Sequence, residues 1–284
     1  MFRYKFVVAY DGTKYSGWQI QPNAITIQQQ LEKSLEIALR QPTQVIGSAR
    51  TDAGVHALAQ VAHFNTNKEI EPQKLHLSLN GLLPKDIRIL SLEKTTTSFH
   101  ARYSAKKKVY RYFLNLQSVR DPFNFLYSLQ TRGTISIDLI KKAANYFVGT
   151  HDFTSFSNEA HKGSASRNPV RTLYRLDAIE NENGLCLEFE GNGFLYKMVR
   201  NITGTLLAVG RGKLQPEQIL ELFAAKDRRR AAAAAPAHAL FLVKVDYTDP
   251  FVQERESAPL FYSEDPAIED GSYDKSKLVQ PSFA

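Results

Sequence analysis

Apolar residues fall into two rhythms along this chain, alternation and helical recurrence, and the changes between them mark out its elements. Residues 2–10 form an aromatic and β-branched run that closes at Asp11-Gly12, which predicts a strand ending in a turn. Ile27, Leu31, Leu35 and Ala38 then recur at helical spacing behind Thr26, which with Gln29 makes a capping-box pattern, and Pro42 marks the far side. Residues 43–46 and 55–64 read as strands around a loop at 47–54, and 73–79 as a helix leading to a strand at 87–92. The predicted order is β-α-β-β-α-β. After a basic bridge at 104–108 a similar series follows. Residues 109–116 are a strand, and Ile137, Ile140, Ala144 and Phe147 make a helix that Gly149 stops. The segments 173–179 and 185–190 flank Asn183-Gly184 as a hairpin. Helices over 196–209 and 216–223 and a strand at 240–247 complete the series.

This pattern predicts an α+β protein in which two ferredoxin-like halves share a mixed, mainly antiparallel sheet, with helices on one side. The expected division is 1–104, with the polar loop 47–54, then 105–249. Residues 250–284 have no periodicity and many acids, and are expected to be a flexible or lightly docked tail.

A length of 284 residues, 43% of them hydrophobic and 11% aromatic, supplies a sizeable core. Apolar runs such as 6–10 fall far short of the roughly 20 residues of a membrane helix. Arg3 and Lys5 interrupt the N-terminus, so no secretory apolar region is read there and a cytoplasmic protein is expected. The single Cys186 excludes an internal disulfide and a CxxC zinc module. Charge changes the picture most. The net is +7, yet 250–284 carries seven acids and three bases, which leaves +11 on 1–249. That is the electrostatic footprint of a nucleic-acid binder.

Candidate chemistry is concentrated in few places. GSARTDAG at 47–54 places Arg50, Thr51 and Asp52 together between two strands. Asp52 fits a turn cap first, as Asp and Gly favour turns, and it also fits a nucleophile or general base whose partner comes from elsewhere. His56 and His63 differ in parity, which on a regular strand puts them on opposite faces and speaks against a shared metal. No HExxH, Walker loop or GxGxxG occurs. HARYSAKKKVYRY at 100–112 interleaves bases, including Lys106, Lys107 and Lys108, with aromatics, as single-stranded nucleic acid requires. As a strand it turns Tyr110 and Tyr112 to one face, where they could equally be core residues, and Arg111 to the other. Lys197 and Arg200 stand at i and i+3 of a predicted helix, and Arg211 and the run Arg228 to Arg230 add basic positions that also suit a solvated face.

Five ordered segments together resemble the TruA family of tRNA pseudouridine synthases. They are AYDGTKYSGWQIQPN at 9–23, SARTDAGVHALAQVAHF at 48–64, FHARYSAKKKVYRYFLN at 99–115, FLYKMVRNITGTLLAVGRGK at 194–213 and AAPAHALFL at 234–242. The likeness covers about residues 2–247. It implies that Asp52 is the catalytic carboxylate, Tyr110 the ring that stacks on the target base, Arg200 the basic partner of Asp52 and Leu240 an apolar wall, with Arg50 helping to hold the nucleotide out of its stack. Lys106, Lys107, Lys108, Arg211 and Arg228 are then expected along the RNA path. The implied substrates are uridines 38, 39 and 40 of tRNA, the implied working unit is a homodimer, and neither cofactor nor metal is required. Ala49, Ala232 and Ala239 depart from the family's usual glycines, and five alanines at 231–235 stand where a glycine and a threonine are usual. The competing reading is a non-catalytic tRNA-binding protein or tRNA-folding chaperone, with a metal-dependent nuclease a more distant third.

Overall fold

A computed structural model describes residues 1–158 and 168–247; the expected tail at 250–284 lies outside the described residues. The first series becomes β1 (Phe2–Tyr10), α1 (Ile27–Leu39), β2 (Val45–Gly47), β3 (His56–Thr66), α2 (Pro72–Leu82) and β4 (Ile87–Thr95). The second is β5 (Ala105–Asn115), β6 (Leu129–Gln130), α3 (Ile137–Asn145), β7 (Gly149–Asp152), β8 (Val170–Asn181), β9 (Gly184–Gly191), α4 (Met198–Gly210), α5 (Gln218–Ala225) and β10 (Leu240–Tyr247). The capping box is real on its backbone side, since the Thr26 hydroxyl accepts from the Gln29 N–H at 3.3 Å. The basic bridge is not a bridge: from Ala105 onward it is already strand β5.

All ten strands join one α+β sheet whose main path runs β4-β1-β3-β10-β5-β9-β8-β7. Pairing is antiparallel except at β10·β3 and β5·β6, so the sheet is mixed and mainly antiparallel. One large core cluster takes inward side chains from strands of both halves (Tyr4, Phe6, Tyr112, Phe189) and from all five helices, including Leu31, Leu79, Ile140, Ile202 and Ile219. The helices therefore cover one face. On the other, Phe113, Cys186 and Phe241 form a small separate cluster.

Strand β3 positions the site. Its outer edge is shared: β2 pairs with residues 62–64, while β10 reaches only His56 and Ala57. The chain between β2 and β3 must leave the sheet at the junction of the halves. A bulge in β3 also corrects the parity argument. Val8 faces Gln60 but Tyr10 faces Ala57, so one extra residue shifts the alternation. His56 and His63 consequently share a face, and it is their partners that differ. His56 stacks on Phe241 at 4.6 Å, whereas His63 Nδ1 accepts from the Ala101 N–H at 3.1 Å.

That second bond secures residues 96–104, which carry the chain across the sheet from β4 to β5. Arg3 donates to the Phe99 carbonyl and Tyr247 to that of Ala101, each at 2.6 Å. His63 is 1% exposed, and burial, followed by the charges of Arg3 and His100, pushes its imidazole down to about 4 from 6.5. Protonation at Nδ1 would evict the Ala101 amide. A folded value below the unfolded one means that the stabilisation is present above pH 6.5 and is lost as pH falls toward 4. Melting temperature should therefore decline across that window, and His63→Asn, which keeps an acceptor but cannot titrate, should flatten the decline. An unchanged acid limb in the variant would remove His63 as its source.

Candidate active site

Residues 48–55 fold over the junction and are held from beneath by side chains of β1 and β3. Gln60 is fully buried and uses both ends of its amide: Oε1 accepts from the Ser48 hydroxyl at 2.5 Å, and Nε2 donates to the Ala49 carbonyl at 2.8 Å. The Tyr10 hydroxyl meets Thr51 Oγ1 at 2.8 Å, and the backbone N–H of Trp18 donates to the Thr51 carbonyl at 3.0 Å. From the other half, Lys108 Nζ donates to the Ser48 carbonyl at 2.6 Å. Gln60 and Tyr10 were not singled out in the sequence, where they read as ordinary strand positions; buried polar groups aimed at the Asp52 loop are visible only in three dimensions.

Asp52 projects from this loop to the first turn of α4, where Arg200 Nη1 lies 2.7 Å from its Oδ2. Both side chains are mostly buried, at 17% and 15% exposure. The guanidinium is itself held, since its Nε donates to the Ala235 carbonyl at 2.7 Å while the Ala235 N–H returns a bond to the Arg200 carbonyl at 2.9 Å. Tyr112, buried beside Arg200, donates to the Pro236 carbonyl at 2.9 Å. Residues 231–236 act here through their backbone, so the alanines keep these contacts. The strap runs hard against α4, for a Cβ at Gly204 would lie 1.9 Å from the Ala233 oxygen.

Tyr110 stands on the same face of β5 as Tyr112, edge-on to Phe194 at 5.0 Å. Burial raises its phenol pKa far above normal, and Tyr10 and the negative charge of Asp52 push in the same direction. It is a neutral hydroxyl at physiological pH. Leu240 opens β10 opposite Tyr112 and is buried. Asp52, Arg200 and Tyr110 thus come together, with Leu240 on the same sheet face, while Arg50 extends into solvent two residues from Asp52.

The basic positions separate. Lys106 is exposed and shares the face of Tyr110, and Lys108 lies half-buried against the loop. Lys107 faces away and pairs with Glu190 at 3.2 Å and Asp246 at 3.7 Å. Arg228 is occupied structurally, donating to Asn201 Oδ1 at 2.8 Å and to the Ala231 carbonyl at 3.1 Å. Arg211 ends α4, eleven residues and about 16 Å along the helix axis from Arg200. Lys197 is not on a helix face with Arg200, because it is the left-handed N-cap residue, φ 59°. No group of three or more His, Cys, Asp or Glu converges as a metal site among the described residues, and no helix there is long and apolar enough to cross a membrane.

The ten-stranded α+β sheet, with the Asp52–Arg200 pair at the junction of its two ferredoxin-like halves, is that of a chain whose sequence matches the pseudouridine synthases. The profile described as tRNA pseudouridine synthase matches residues 6–104 and 143–248. A protein named tRNA pseudouridine synthase A 1 from Protochlamydia amoebophila (strain UWE25) is 58% identical over 248 residues, 87% of this chain and 97% of that protein. Proteins named tRNA pseudouridine synthase A from Thermoanaerobacter sp. (strain X514) and Chlamydia felis (strain Fe/C-56) are 43% and 44% identical, covering 85% and 88% of this chain and 98% and 94% of theirs. The chain belongs to the TruA family of tRNA pseudouridine synthases.

One glycine tests how tightly the loop is held. Gly17 has φ +90°, and a Cβ there would lie 2.6 Å from the Thr51 oxygen. Gly17→Ala should cost about 1–3 kcal/mol of stability from backbone strain and displacement of the loop. Calorimetry reads that cost, and an unaltered melting temperature would show that the contact yields freely.

Proposed function

We propose that the protein isomerises uridine to pseudouridine in tRNA, at positions 38, 39 and 40 of the anticodon arm, acting without cofactor as a cytoplasmic homodimer. The observation that carries this reading is the Asp52–Arg200 pair at 2.7 Å, set beside the buried phenol of Tyr110. Membership of the family supports the reaction, and the resemblance of the five segments supports the substrate positions.

The reaction breaks the N1–C1′ bond, turns the base and rejoins it through C5, so that C5 loses a proton and N1 gains one. The target nucleotide must first leave its stack, at a cost of a few kcal/mol. Asp52 either attacks C1′ as nucleophile or takes a proton from the ribose; Arg200 keeps the carboxylate ionised and aimed in both routes. Tyr110 offers a flat face to uracil. Its neutral hydroxyl, electrostatically coupled to Asp52, serves as a relay for the C5 proton rather than as a phenolate base. Leu240 and the neighbouring apolar surface exclude water, which strengthens each of these contacts.

Incubation with unmodified tRNA in EDTA, followed by nuclease digestion and pseudouridine mapping, tests the reading directly. Product at 38–40 is expected. Binding without product would favour a tRNA-binding protein or folding chaperone, and cleaved RNA that EDTA suppresses would indicate a metal-dependent nuclease.

Substitutions separate the roles. Asp52→Asn should lower single-turnover conversion by at least about 10³-fold while tRNA affinity survives, because phosphate contacts elsewhere carry binding. Arg200→Met should cost roughly 10²–10³-fold, the scale of losing one preorganised charged partner. Tyr110→Phe keeps the stacking face and should allow bond cleavage or a trapped adduct without finished product. Wild-type turnover by Asp52→Asn would overturn the mechanism; parallel loss of melting temperature, binding and turnover would make these residues structural.

A further inference from the structure

On the sheet face without helices, behind the Asp52–Arg200 pair, hydrogen bonds close a ring around His56. The imidazole is buried and stacks on Phe241 at 4.6 Å. Its Nε2 lies 3.0 Å from the carbonyl of His238, a group that can only accept, so that nitrogen carries a proton. Nδ1 faces both the Gly12 N–H at 3.0 Å and Asp11 Oδ1 at 3.1 Å. With one ring proton it accepts from Gly12, and with two it donates to Asp11; the Nε2 bond to His238 is the same in both forms. Asp11 Oδ2 accepts from the Tyr127 hydroxyl at 2.8 Å, and His238 Nε2 donates to the neighbouring Ser128 carbonyl at 3.2 Å. The ring thus passes through four separate stretches of chain: residues 11–12, the start of β3, residues 127–128 and residue 238.

Two of these stretches lead to the charge pair. His56 stands four residues after Asp52, and the turn between them is closed by the Val55 N–H on the Asp52 carbonyl at 3.1 Å. That turn is wedged from both sides: a Cβ at Gly12 would lie 2.0 Å from the Val55 oxygen, and one at Gly54 would lie 3.6 Å from Ala237 Cβ. His238 stands three residues after Ala235, whose carbonyl holds the Arg200 guanidinium at 2.7 Å. The His56–His238 bond therefore ties the turn that carries the carboxylate to the segment that anchors the arginine, across the junction of the halves. Phe241, on which the imidazole stacks, pairs with Arg111 and lies on the opposite sheet face from Tyr110, so the ring acts on the site from behind. Spacing matters there, because a displacement of about 1 Å between reacting groups can cost about 10²-fold in rate.

We infer that His56 is a positioning residue for the Asp52–Arg200 pair, acting through its Nε2 bond to the His238 carbonyl and held in place by Asp11 and Tyr127. The inference rests on the tRNA-uridine reading and adds to it the side chain that sets the carboxylate's turn against the arginine's anchor.

The test uses the full chain and measures single-turnover conversion of an unmodified tRNA transcript, with protein in excess and well below each variant's melting temperature, alongside tRNA affinity. His56→Phe keeps the stack on Phe241 and loses both nitrogens; it should convert about 10²-fold more slowly at unchanged affinity. His56→Asn keeps an acceptor for the Gly12 N–H but is too short to reach His238, and should fall as far. His56→Gln places an amide nitrogen where Nε2 was, and should regain at least about tenfold of that loss. Tyr127→Phe removes only the hydroxyl on Asp11; it should cost about threefold alone and nothing further in His56→Phe, because both changes open the same ring. Should His56→Phe fail to fold, the Asn and Gln variants carry the comparison. Wild-type conversion by folded His56→Phe or His56→Asn, or equal losses in the Asn and Gln variants, would overturn the positioning role even where melting temperatures fall, while pseudouridine formation by the wild type still upheld the enzyme reading. Absence of pseudouridine from the wild type would overturn that reading, and this inference with it.

Discussion

The site depends on one charge pair joining residues 148 positions apart in the chain. Asp52 sits on a loop braced by β1 and β3, and Arg200 on a helix braced by residues 231–236, so neither half contains the pair alone. At 2.7 Å, and with each partner largely withdrawn from water, the pair is costly to break singly, because the survivor would be a stranded charge. The bracing around it follows from that cost. Gln60, Tyr10 and Trp18 hold the carboxylate's loop, and Ala235 with Tyr112 hold the guanidinium's surroundings. Rigidity on both sides lets a flexible arginine act as a fixed positive charge.

The alanines at 231–235 are understood from the same contacts. What Arg200 and α4 receive from this segment is a carbonyl, an amide and close approach at Gly204. A backbone supplies these whatever the side chains, provided they are small. Ala239 is likewise fully buried without offering a polar atom.

Much of this was legible in the sequence, for identifiable reasons. Helix α1 declares itself through Thr26 and the 27-31-35 recurrence, and β10 through the apolar run Leu240 to Val243 and the alternation after it, because each signal is local. Strands of two and four residues, β6 and β7, are too short to show a period and were not foreseen. The alternation rule failed at β3, where a single inserted residue turned His56 onto the face of His63; register of this kind is set by a neighbouring strand. Spacing alone left Asp52 open between a turn cap and a catalytic carboxylate, and only the resemblance to a family joined it to Arg200. Lys107 and Lys108 look alike in sequence, yet one is neutralised on the open face and the other is desolvated at the site, a difference decided by partners 83 and 60 residues away.

The place of β10 has a consequence for how the molecule comes into being. This strand is the last element of the described fold, yet it lies in the middle of the sheet, between β3 and β5. A ribosome releases both neighbours long before it. Until β10 arrives, each half presents an open edge at the point where the other must join, and the residues that position Arg200 have no wall to close against. Assembly of the candidate site therefore waits for β10, and its long-range pairing makes that step slow compared with helix formation. A nascent chain of this protein can hold folded pieces of both halves without yet bringing Asp52 and Arg200 together.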